Sequence, residues 1–78
     1  MDTLKTEALA VAISFDADSL RVKLIDDRQL VVPLFRFPRL AKASSGEREN
    51  YLISGGGRGL HWDDLDEDLL VSELLTSS

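Results

Sequence analysis

His61 is the only histidine in the chain, and it stands between an apolar run and a dense set of acids. Trp62 follows it directly, then Asp63, Asp64, Asp66, Glu67 and Asp68. An imidazole beside carboxylates is the raw material of general acid–base chemistry. Catalysis also needs a nucleophile or a reacting group placed within reach. Ser14, Ser44 and Ser54 are candidates by type, but no Gly-x-Ser-x-Gly elbow or similar motif joins them to the histidine. The residues therefore predict a non-enzymatic chain with no catalytic residue.

Metal and phosphate chemistry fare no better. Asp64, Asp66 and Asp68 copy the alternate-residue opening of a calcium loop. That loop also needs glycine at its sixth position and glutamate at its twelfth. Leu69 and Leu75 occupy those places here, so the motif fails twice. With no cysteine and one histidine, a disulfide frame, a Cys-based zinc site and a multi-His metal cage are excluded. Gly55-Gly56-Gly57-Arg58-Gly59 leads into a strand-like run, with no Gly-Lys-Ser/Thr behind it. A phosphate cradle opens a helix, so these glycines read as a tight hairpin turn. No cofactor and no metal are expected.

Arg39, Arg48, Tyr51 and Trp62 belong to the residue types that carry most binding energy at protein interfaces. Together with His61, Asp66, Glu67 and Asp68, the two arginines and the tryptophan make a candidate interaction surface. The bland alternative is internal: Arg39 or Arg48 pairs with Asp66 or Asp68. A third reading gathers Arg39, Arg48, His61 and Asp66 in a cleft, making a ligand-binding or minor enzymatic domain for an anionic metabolite. Its weakness is volume, because one thin sheet and one helix enclose little space.

The charge distribution favours a protein partner. The net charge is −5. Residues 36–58 carry five basic groups (Arg36, Arg39, Lys42, Arg48, Arg58) and two acidic ones, whereas residues 59–78 carry six acids and no base. Binding to a phosphate backbone needs clustered Lys and Arg, so no nucleic-acid partner is expected. An acidic end suits a partner with a basic patch. The apolar run ALAVAISF at 8–15 is too short to span a bilayer, and Asp2 precedes it where a signal peptide wants positive charge. These features imply a cytoplasmic protein with no membrane role. A chain of 78 residues buries only about 60% of its unfolded surface, which makes a homodimer, as a structural subunit, another expectation.

The elements that must hold these residues follow from periodicity. Residues 1–7 show no period and are expected to be disordered; 8–76 form one domain. Val11, Ile13 and Phe15 alternate with Ala12 and Ser14, the pattern of a half-buried strand. Asp16 to Ser19 is a turn, and Leu20, Val22 and Leu24 mark a second strand. Asp26-Asp27 turns into a third strand, Leu30 to Val32, which Pro33 ends. Leu34, Phe37 and Leu40 recur at helical spacing, predicting one main helix from about Leu34 or Phe35 to Ala43, provided Pro38 lies in its first turn. Glu47 to Asn50 reads as a polar connector, Tyr51 to Ile53 and Leu60 to Trp62 as strands, and Leu69 to Leu74 as a short last helix. The acidic stretch reads as a solvated turn, a cap on that helix or a partner surface. The fold class is α+β, an antiparallel β-meander in the order β-β-β-α-β-β with a short C-terminal helix.

Five stretches carry a resemblance: Pro33-Leu34; Pro38-Arg39-Leu40; Arg48 within Glu47 to Asn50; Gly59-Leu60-His61-Trp62; and Leu65-Asp66-Glu67-Asp68-Leu69 with Glu73-Leu74-Leu75. Over residues 11–75 the chain resembles the bacterial family known as domain of unknown function 2442. It departs from that pattern at Asp27, where glycine is usual, at Tyr51, where tryptophan is common, and at Asp63, where proline is common. The resemblance implies the same small α+β fold. It also implies an antitoxin-like role beside a small basic toxin-like protein, because many members are encoded next to another small protein.

Overall fold

Strand alternation builds the first half of the molecule. The computed structural model describes residues 8–77. Strands β1 (Ala10–Phe15), β2 (Ser19–Leu24) and β3 (Gln29–Pro33) form an antiparallel sheet in that order. Leu20, Val22 and Leu24 are fully buried, and the charged residues between them face outward. Val22 lies opposite Ile13 on one side and Leu30 on the other, so one face of the sheet is apolar throughout.

β1 departs from simple alternation. Its register slips between Ala10 and Ala12, leaving Val11 as the extra residue of a bulge. The bulge shifts parity: Ala10, Ile13 and Phe15 turn inward while Val11 is exposed. The β2–β3 turn places Asp27 at a φ of 73°, the left-handed region that favours glycine.

The helical segment after β3 is divided. Leu34–Arg36 forms a single 3-10 turn, Phe37 leaves the helical region with φ −127° and ψ 84°, and α1 runs Pro38–Lys42 with proline in its first turn. The break falls at Phe37 because proline disfavours helical backbone at the residue before it. The expected connector is also a helix, α2 (Ser45–Glu49). Ser44 accepts a hydrogen bond from the Glu47 amide, and the Glu47 carboxylate accepts one from the Ser44 amide, a complete capping box.

The second half is another antiparallel sheet, β4 (Leu52–Ser54), β5 (Gly59–Trp62) and β6 (Glu67–Leu70), followed by α3 (Val71–Ser77). The expected meander is thus two three-stranded meanders. The acidic stretch does not cap α3; it supplies the β5–β6 turn and β6. The glycine run is the β4–β5 turn, as expected, with positive φ at Gly55, Gly56 and Gly57. The two sheets share one core, in which Leu20, Val22, Leu24 and Val32 meet Leu60, Trp62 and Leu69, with Leu34, Leu40, Val71 and Leu74 closing its ends. The fold is α+β. The expectation for residues 1–7 falls outside the described residues. Among the described residues, no helix is long and apolar enough to cross a membrane.

Candidate functional site

The β5–β6 hairpin carries most of the candidate residues. His61 on β5 lies directly across the ladder from Asp68 on β6. Its Nδ1 is 2.5 Å from Asp68 Oδ1, and its Nε2 is 2.6 Å from Asp63 Oδ1. A carboxylate only accepts, so both ring nitrogens must donate, which requires the imidazolium. The bond to Asp63 and then the bond to Asp68 raise the His61 pKa above the ordinary histidine value. Both carboxylates remain about three-quarters exposed. The trio therefore carries net negative charge on an open face, with Leu52 beside His61 on β4 and also exposed.

Asp66 closes the turn. Its amide donates to the Asp63 carbonyl at 3.2 Å, and its φ of 52° is left-handed. Its backbone carbonyl accepts a 2.6 Å bond from Arg39 Nη1. The expected pairing of Arg39 with an acid is thus replaced by a bond to main chain.

Arg48 behaves the same way. Its Nε donates to the Leu40 carbonyl at 2.8 Å and its Nη2 to the Ala41 carbonyl at 2.9 Å. Those are carbonyls of α1 near its C-terminus, where a cation is favoured. The guanidinium also lies 5.8 Å from the centre of the Phe15 ring. Neither arginine forms an ion pair with a carboxylate among the described residues. A helix end presents carbonyls in fixed positions, whereas an exposed carboxylate gains little from pairing in water.

Trp62 corrects another expectation. It is 0% exposed, so it is a core residue and not part of the exposed surface. Its Nε1 donates to the Arg48 carbonyl at 2.8 Å, and its ring meets Phe15 edge-on and Tyr51 at a tilt. Trp62 and Arg48 together clamp α2 onto the second sheet.

Arg39, Arg48, His61 and Asp66 do not converge on one cavity. Arg48 lines a groove of about 510 Å3 between β1 and α2, whose other walls include Ile13, Phe15, Glu49 and Tyr51. Arg39, His61 and Asp66 lie outside it. Among the described residues, no group of three or more His, Asp or Glu side chains is placed so that it could hold a metal ion. Two features escaped the sequence. Asp63 is the second partner of His61, signalled only by its i+2 spacing. Asn50 Nδ2 donates to Asp64 Oδ2 at 3.0 Å and ties α2 to the acidic turn.

These elements define a small two-sheet α+β domain with an acidic, histidine-bearing hairpin and dispersed arginines. The family model described as protein of unknown function, DUF2442, matches residues 10–78, and the chain belongs to that family. The chain is also similar to a protein of unknown function from Rhodospirillum rubrum ATCC 11170, known from a crystal structure. The TM-score is 0.79 and the identity 28%, over 92% of this chain and 89% of that one. No curated protein matches the chain.

Proposed function

We propose that this domain is a non-enzymatic, cytoplasmic protein-interaction module that docks a small basic protein on its acidic hairpin, in the manner of an antitoxin. One observation carries the reading. The arginines nearest the acidic turn are committed to backbone carbonyls, so no cationic side chain reaches the carboxylates of Asp64, Asp66 or Glu67 among the described residues. No lysine or arginine lies beyond Gly59, and the His61 imidazolium is taken up by Asp63 and Asp68, so Asp64, Asp66 and Glu67 keep their charge. Uncompensated charge of one sign on an ordered surface raises the association rate and selectivity for an oppositely charged partner. Leu52 and Leu70 are exposed on the same sheet and provide apolar contact beside the charge.

The test is co-expression with the product of the adjacent gene. Co-purification that weakens with rising salt, and several-fold with Asp66→Lys plus Glu67→Lys, is the expected result. Absence of any complex, or a complex indifferent to both charge reversals, overturns the reading.

A further inference from the structure

We propose that the outer edge of β1 holds one extended segment of the basic partner, added as a further strand in the groove between β1 and α2. The inference rests on the interaction-module reading and specifies how the partner is gripped.

Ladder parity shows which backbone groups are free. The Leu24 amide donates to the Arg28 carbonyl, so Leu24, Val22 and Leu20 bond toward β3. The Asp16 amide donates to the Ser19 carbonyl, so Ser14 and Ala12 bond toward β2 through Arg21 and Lys23. Ile13 and Phe15 belong to the alternate pairs, and their amide and carbonyl groups point away from β2. No backbone partner for these groups occurs among the described residues. They face the 510 Å3 groove, which Ile13 to Asp16 line.

The edge also lacks the usual protection. Strand edges are guarded by charge, proline, bulges or covering elements. β3 ends in Pro33, and α3 packs on β6. On β1 the bulge at Val11 and the Gly57 turn guard only the first half. Ala12-Ile13-Ser14-Phe15 carries neither charge nor proline.

Two features select the occupant. α2 walls the far side through Ser45, Arg48 and Glu49. Four lining residues give about 13 Å of rail, enough for main-chain pairing of the β-augmentation type. The rim is acidic. Glu49 has no cationic partner among the described residues, Asp16 is shared with Arg21, and Asn50 bonds Asp64, extending the acidic surface from α2 to the hairpin. Phe15, Ile13 and Tyr51 form an apolar floor. An extended segment alternating apolar and basic residues matches both.

The probe is a synthetic decapeptide alternating Val or Thr with Lys, titrated into the isotopically labelled full chain. Its twin carries N-methyl groups on alternate amides, which removes main-chain donors without changing charge. The expected result is shifts and slowed exchange at the Ile13 and Phe15 amides, with roughly tenfold weaker binding of the twin. Glu49→Lys weakens binding several-fold. Ile13→Pro removes an outward amide without removing a ladder bond and abolishes edge binding, its fold verified by the amide spectrum. Equal affinity of both peptides, shifts confined to Asp63–Asp68, or no binding by either overturns edge docking. The co-expression experiment decides the interaction-module reading separately, since a salt-sensitive complex that leaves the Ile13 and Phe15 amides unshifted sinks only the edge.

Discussion

Two carboxylates on one imidazole set a definite pH behaviour. Because Asp63 and Asp68 raise the His61 pKa, the folded state holds a proton that the unfolded chain gives up nearer pH 6.5. The associated stability is fully present below that unfolded value and is lost as pH rises through the raised folded value. The imidazole nitrogen shifts should titrate above 6.5. Asp63→Asn or Asp68→Asn should each lower the midpoint, and a midpoint at or below 6.5 in the parent chain would remove the imidazolium. Asp26 acts in the opposite sense. The Arg28 backbone bond leads in lowering its pKa, so its contribution is present above the ordinary carboxylate value and fades as pH falls through the lowered one. Trp62 supplies a sharper residue-level prediction. Trp62→Phe keeps most of the packing but leaves the Arg48 carbonyl without its donor. The expected loss is about 1–3 kcal/mol in denaturant unfolding, against about 3–5 kcal/mol for Trp62→Ala.

At the scale of elements, the capping box at α2 makes a local prediction. Ser44→Ala should destabilise the domain by about 1 kcal/mol, because the Glu47 amide loses its acceptor. An unchanged denaturation midpoint would show that packing of Arg48 and Trp62, and not the cap, holds this helix. The cap was present in the sequence as Ser44-x-x-Glu47, but a five-residue helix has too few turns to show apolar periodicity. β6 was hidden for a different reason. Glu67 and Asp68 have poor strand propensity, yet Glu67 pairs opposite Trp62 and Asp68 opposite His61, so pairing overrides composition. β1, β2 and β3 were legible because one face of each is buried. The bulge at Val11 was not, since a parity slip becomes visible only against the neighbouring strand. The Arg39 and Arg48 partners were illegible for a related reason: backbone carbonyls carry no sequence identity.

For the whole molecule, the decisive joint is where the first sheet meets the second. Gly57, in the β4–β5 turn, packs against the start of β1. A Cβ there would stand 2.8 Å from Leu9 Cβ and 2.9 Å from the Ala10 carbonyl, at a φ of 109°. Neither neighbour can swing aside as a flexible side-chain end would, and Ala10 is in the core. Gly57→Ala therefore combines backbone strain of order 1–3 kcal/mol with overpacking of similar size. A domain of this length has roughly 4–12 kcal/mol of stability in total, so the substitution takes a large share. Gly46 is the matched control. A methyl group added to it would meet nothing within 4 Å, and it sits inside α2. Gly46→Ala should stabilise by about 0.5–1 kcal/mol. Because one core serves both sheets, hydrogen exchange in Gly57→Ala should speed up in β2 and β5 together. Acceleration confined to one sheet would mean that the halves unfold independently, and that the β1 groove and the acidic hairpin are not held as one surface.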